Sequence, residues 1–132
     1  MKFLRSIFLF GIVGTVGFLA DTAVLYLLRD TLGPWVARLC SFLVAVLVTW
    51  LMNRYLTFSD RASKLPIHQE FSVYLILMLV GGSVNYGVYA WLIVSDEIVR
   101  QHPVLGVACG SLAGMAINLF CAQFLLFRHH IK

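Results

Sequence analysis

Residues 35–58 read WVARLCSFLVAVLVTWLMNRYLTF, and residues 104–127 read VLGVACGSLAGMAINLFCAQFLLF. Each is a membrane-length apolar run with small or polar residues at i,i+4 spacing. The first carries Ala37, Ser41, Ala45, Thr49 and Asn53; the second carries Gly106, Gly110, Gly114, Asn118 and Ala122. An offset of 69 residues superposes them and also pairs Pro34 with Pro103, Cys40 with Cys109, and Phe58 with Phe127. An offset of 64 superposes the preceding apolar runs, placing Gly17 on Gly81 and Asp21 on Asn85. The chain therefore reads as two helical hairpins, the second with the longer internal loop. Small residues one turn apart let helix backbones approach closely in lipid, where nothing hydrophobic drives association. Polar groups at that depth are costly and by default suggest a substrate path.

Composition agrees. The 132 residues are 61% hydrophobic and 12% charged, with mean hydropathy +0.89. A soluble domain of this size cannot cover so much apolar surface, so the bilayer must act as solvent. The length allows one domain, 1–132, with repeats at about 6–58 and 71–127. Four spans are expected at 6–28, 35–55, 71–94 and 104–127, helical because backbone polar groups in lipid must be satisfied within the span. The breaks are the polar stretches 29–34, 59–70 and 95–103. The expected fold is thus an all-α membrane protein of four transmembrane helices, arranged as two parallel-repeat hairpins. The basic N-terminus resembles a signal peptide, but Phe18 and Ala20 make a poor cleavage site and the apolar run continues to Leu28.

The net charge is +4. The basic residues cluster at helix ends rather than along one face, which suits anionic lipid and not nucleic acid. Seven of the ten Lys and Arg residues (Lys2, Arg5, Arg54, Arg61, Lys64, Arg128 and Lys132) fall on one side, predicting cytoplasmic termini and central loop. Trp35 and Tyr55 are expected as anchors at opposite interfaces. Cys40, Cys109 and Cys121 lie inside spans without metal-ligand spacing and read as small packed side chains. His68, His102, His129 and His130 lie in loops or the tail, without a nucleophile–base arrangement. No enzyme, metal site or cofactor is expected.

The candidate binding residues are the polar ones inside the spans. Asp21 is the only acid well within a span, and Arg38 lies one turn inside the second. Either they form a structural ion pair with Arg38 snorkelling to the interface, or they line a polar site open to the outer half. Asn85 is the repeat counterpart of Asp21, and Asn118 that of Thr49; such groups either glue helices together or bind sugar hydroxyls. At the end of the second span stands Asn53-Arg54-Tyr55-Leu56-Thr57-Phe58, where Arg54 either is an ordinary positive-inside anchor or offers a lipid phosphate a planar fork that matches two of its oxygens. The counterpart segment has Ala122 and Gln123 in place of Asn53 and Arg54.

These features together have a familiar form. Phe10-Gly11-Ile12-Val13-Gly14-Thr15-Val16-Gly17 precedes Asp21, the second span ends in the Asn53–Phe58 segment, and a basic loop leads to another hairpin ending in Phe127-Arg128. The chain closely resembles the GtrA-like family of small four-span membrane proteins over nearly its whole length. The resemblance implies a flippase that carries a polyprenyl-phosphate-linked monosaccharide from the cytoplasmic to the periplasmic leaflet of the bacterial inner membrane. There glycosyltransferases would use it to modify O-antigen, teichoic acid or arabinan. It implies Asp21, Asn53, Arg54 and Thr57 as family-type polar residues; the internal repeat adds Thr49, Asn85, Asn118 and Gln123, and the depth of Arg38 adds a second phosphate station. A lateral groove between the hairpins would cover the headgroup while the prenyl tail stays in lipid. The expected partners are this lipid, membrane lipids, glycosyltransferases of the same pathway and a second copy in a homodimer. Two rivals remain: a non-transporting membrane subunit that anchors a glycosyltransferase, and a small multidrug-type exporter, which also has four spans and an acid in the first.

Overall fold

In the computed structural model, which describes residues 1–61 and 63–127, every regular element is helical. Arg128, His129, His130 and Lys132 lie outside the described residues. Four helices are long and apolar enough to cross a membrane: α1 (Lys2–Gly33), α2 (Trp35–Thr57), α3 (Ile67–Ser95) and α5 (Val104–Leu126). A short α4 (Glu97–Gln101) separates the last two. The chain divides into two compact units, Met1–Lys64 and Leu65–Lys132, each built around one helical hairpin.

In the first unit the expected break at 29–34 narrows to one residue. Helical geometry continues through Arg29, Asp30 and Thr31 until Gly33, at φ 77° and ψ 165°. Polarity ends the hydrocarbon-compatible run without ending the helix, since these residues still tolerate helical backbone. Thr31 also donates its hydroxyl to the Leu28 carbonyl at 3.2 Å. The Gly33 conformation belongs to a region that only glycine enters without strain. A Cβ there would meet nothing within 4 Å, so the penalty for a side chain is purely conformational. Gly33→Ala is expected to cost about 1–3 kcal/mol, read as a lower thermal midpoint of the purified protein; an unchanged midpoint would contradict the turn geometry.

Beyond the turn α1 and α2 pack antiparallel. Gly17 lies against the Thr49 methyl, and Phe10 stacks at a tilt on Phe58 with ring centroids 6.5 Å apart. The α1 face runs Ser6, Phe10, Val13 and Gly17, and α2 answers with Ala37, Ser41, Val46, Trp50 and Asn53. Outward-facing positions are apolar, including Phe8, Phe18, Leu39 and Leu47, as expected where lipid takes the place of a larger core.

The second unit has the same plan with a different turn. The stretch 95–103, expected as a loop, contains α4. Asp96 caps it by accepting from the Val99 N–H at 3.1 Å. Arg100 reaches back to the open carbonyl end of α3, donating to Ile93 and Val94 at 3.2 and 2.8 Å. Its Nη1 donates to Glu97 Oε2 at 2.9 Å. The five residues by which the two repeat offsets differ are thus housed in a five-residue helix.

Along α3 and α5 the glycines mark close approach. The Asn118 amide occupies the space where a Gly81 side chain would begin, and Asn85 occupies that of Gly110. The Gly17–Thr49 contact of the first hairpin therefore has a Gly81–Asn118 equivalent in the second. Glu70 and Tyr74, one turn apart on α3, are both fully buried. Of the cysteines, all free, Cys121 is buried, Cys40 half-buried and Cys109 exposed, so close packing accounts for only part of the set.

Candidate functional site

The membrane helices spend most of their hydroxyls on themselves. Ser6, Thr15, Ser72, Ser83 and Ser95 each donate to the carbonyl four residues back, and Thr49 donates to Val46 at 3.1 Å. Such bonds satisfy a polar group in lipid without any ligand. Thr49, with its hydroxyl so engaged and its methyl on Gly17, serves packing in this structure.

Three places hold more. The first is the end of α2. There the helix widens into a π-turn over Asn53–Thr57, closed by the Phe58 N–H donating to the Asn53 carbonyl at 2.8 Å. Thr57 Oγ1 donates to Asn53 Oδ1 at 2.7 Å, and both side chains are buried. Asn53 and Thr57 thus brace the turn from inside, while Arg54 is left partly exposed on it. Arg54, Tyr55, Phe58 and Ser59 line an open pocket of about 170 Å³. The Arg54 guanidinium lies 5.9 Å from the Tyr55 ring centroid, within cation–π range. The wall is therefore cationic on one side, aromatic on another and hydroxylic at the rim, a donor set suited to phosphate. Single-turn π insertions occur frequently at functional sites. The same insertion recurs over Ala122–Leu126, 69 residues later, closed by Phe127 N–H donating to the Ala122 carbonyl at 2.8 Å.

The second place is the Asp21–Arg38 pair. Arg38 Nη1 donates to both Asp21 oxygens at 2.6 Å, with Ser41 Oγ 3.4 Å from the same nitrogen. The Arg38 side chain is 54% exposed and that of Asp21 19%. The direction of the reach is informative. Gly17 lies level with Thr49 and Phe10 with Phe58. Asp21 is then level with the neighbourhood of Ala45, about seven residues or about 10 Å further from the turn than Arg38. The guanidinium is drawn toward the middle of the hairpin. The ion pair, one of the two readings the sequence left open, forms. Asp21→Asn and Arg38→Gln, singly and together, are expected to show a coupling of about 0.5–3 kcal/mol in thermal or denaturant unfolding. Strict additivity would mean that the pair carries no net interaction.

The third place is α5. Asn118 Oδ1 and Gln123 Oε1 are both buried without a hydrogen-bond partner, and Gln123 as a whole is only 7% exposed. An enclosed amide oxygen lacking a donor costs about 1–3 kcal/mol, so two on one helix call for an explanation. Asn85 lies against Gly110.

Within the first unit the geometry joins Asp21 with Arg38, and Asn53 with Thr57 beneath Arg54. Within the second it sets Asn118 and Asn85 at the glycine contacts. Two residues escaped the sequence reading. Glu70, assigned to a polar loop, is fully buried in the first turn of α3, where an acid suits the helix dipole; that preference was the available signal. Arg61, counted only as a loop cation, has a side chain 9% exposed, with Nε lacking a hydrogen bond and Asp60 at 4.0 Å. Nothing in the sequence announced its burial. Among the described residues no group of His, Cys, Asp and Glu is placed to hold a metal.

Residues 9–131 match the GtrA/DPMS transmembrane domain. The chain belongs to that family. A comparison with curated proteins returns no match. GtrA/DPMS membership and four membrane-length helices make the chain a multi-pass membrane protein connected with polyprenyl-phosphate sugars, in a family of translocases more than of catalysts. The polar features that the described residues place on the GtrA/DPMS scaffold include the Arg54 pocket, the Asp21–Arg38 pair and the α5 amides.

Proposed function

We propose that this protein is a flippase that carries a polyprenyl-phosphate-linked monosaccharide from the cytoplasmic to the periplasmic leaflet of a bacterial inner membrane, where glycosyltransferases consume it. The observation that carries this reading is the Arg54 pocket, a cationic, aromatic and hydroxylic recess on a braced π-turn. By the distribution of Lys and Arg, this end of the hairpin faces the cytoplasm, where such lipids are made. Asn53 and Thr57 position Arg54, whose fork receives the phosphodiester through two charge-assisted hydrogen bonds. Arg38 is the second cation on the route, held in reserve by Asp21 at the level of the hairpin middle. The engagement of both Asp21 oxygens by Arg38 also weakens the exporter reading, which needs that carboxylate open to a substrate cation. Consumption of the lipid-linked sugar on the far side is the simplest drive for net flux.

The test is transbilayer movement of a fluorescent polyprenyl-phosphate-hexose in liposomes containing only this protein. Protein-dependent movement is expected. Its absence in folded, inserted protein across several headgroups would favour a glycosyltransferase-anchoring subunit instead.

A further inference from the structure

The side-chain hydrogen bonds of Arg38 all leave from one nitrogen. Nη1 donates to both Asp21 oxygens and has Ser41 Oγ at 3.4 Å. Among the described residues nothing accepts from Nε or Nη2. Those two nitrogens form the side edge of the guanidinium, whose parallel N–H bonds make a two-pronged donor. With Nη1 turned to Asp21 and the side chain 54% exposed, the side edge is the accessible one. Its depth matters. Asp21 stands eleven residues from Phe10, which is level with Phe58, and twelve from Gly33 at the turn, so it lies midway along the hairpin. The N–H bonds of Nε and Nη2 therefore go unmade at a level where lipid tails offer no acceptor.

We infer that the Nε/Nη2 edge of Arg38 is a phosphodiester site near the middle of the span, and that Asp21 is its positioning residue. Asp21 keeps hold of Nη1 while the phosphate binds on the other edge. This rests on the flippase reading and specifies how the phosphate is held in transit. A phosphodiester has two unesterified oxygens sharing one negative charge, and the side edge meets both with charge-assisted hydrogen bonds. Without Asp21, a long cationic side chain near a helix end reaches for the interface. The carboxylate also sets the strength of the site. A phosphate about 4 Å from the guanidinium and about 7 Å from the carboxylate is attracted nearly twice as strongly as it is repelled, because Coulomb energy falls as the inverse of separation. Attraction survives, but weaker than a lone guanidinium would give. A station in mid-route needs that balance, since its ligand must both enter and leave. Both cationic stations, Arg54 and Arg38, belong to the first hairpin.

The experiment joins NMR of the arginine N–H groups, in the purified full chain in non-ionic detergent, to the liposome assay. A short-chain polyprenyl-phosphohexose is expected to shift the Arg38 Nε–H signal and slow its exchange with water, while the Nη1 signals stay as Asp21 sets them. Arg38→Lys supplies the assignment and the decisive variant. Its ammonium can still pair with Asp21, so the thermal midpoint should hold, but it has no second edge. Transbilayer movement should fall at least about tenfold, the worth of one charge-assisted hydrogen bond. Undiminished movement in Arg38→Lys would mean that the pair is structural, and would overturn the inference. So would an equal Nε–H response to phosphatidylglycerol, which would make the edge an anchor for any lipid phosphate. Should Arg38→Lys misfold, the signal is assigned through its displacement in Asp21→Asn, and its response in the wild-type protein decides. The two readings fail separately. An Nε–H response in a protein that moves no lipid sinks the flippase and leaves the site standing, whereas movement without any response does the reverse.

Discussion

Arg54→Ala should reduce transbilayer movement of a polyprenyl-phosphate-hexose by at least about thirtyfold, the lower end for truncating one partner of a close charge pair. The side chain forms the cationic wall of the pocket at the end of α2, and the other lining residues, Tyr55, Phe58 and Ser59, bring no positive charge. A phosphodiester leaving water for that recess loses hydration, and only a cation with several donors replaces it. Arg54→Lys keeps the charge and loses the planar fork, so it should retain partial movement. The protein should still fold, because the turn is braced by the Thr57–Asn53 hydrogen bond and the buried Phe58. Unaltered movement in Arg54→Ala, with insertion verified, would remove this residue from the phosphate path.

The second large effect concerns stability. A Cβ at Gly114 would lie 2.8 Å from the Gly81 carbonyl oxygen and 2.9 Å from Asn85 Cβ. Because one of these is backbone, no rotamer change relieves the clash, and α3 and α5 must part. Gly114→Ala should cost about 1–3 kcal/mol, the usual range for overpacking. Gly114→Leu should exceed that range and cost the second hairpin its packing. Gly87 makes the control, since a Cβ there meets nothing within 4 Å. Gly87→Ala should be neutral or stabilise by about 0.5–1 kcal/mol, the difference between alanine and glycine in a helix interior. Thermal unfolding in detergent reads all three, and equal effects of Gly114→Ala and Gly87→Ala would refute the proposed close approach.

Much of this architecture was legible because lipid imposes simple rules on sequence. Apolar length sets the number of spans, and the i,i+4 stripes at Ala37–Asn53 and Gly106–Ala122 mark the faces that approach. The offset of 69 residues that pairs Thr49 with Asn118 also separates the two π-turns, although no propensity rule foretells a widened turn. Element ends were less legible. Polar stretches at 29–34 and 95–103 read as loops, yet backbone hydrogen bonding continues through most of the first and builds α4 in the second.

Sequence alone determined what is carried by composition and period: four apolar helices, two hairpins, and the short roll of polar residues within them. Only the tertiary structure decided what each polar residue does, because that depends on which donors and acceptors meet. Thr49 bonds its own helix, Asn53 and Thr57 brace each other, and Asp21 draws Arg38 toward the hairpin middle. Asn118 and Gln123 are left with enclosed oxygens that meet no donor. Hydrogen-bond satisfaction is a property of neighbours in space, and residue type along the chain does not specify those neighbours.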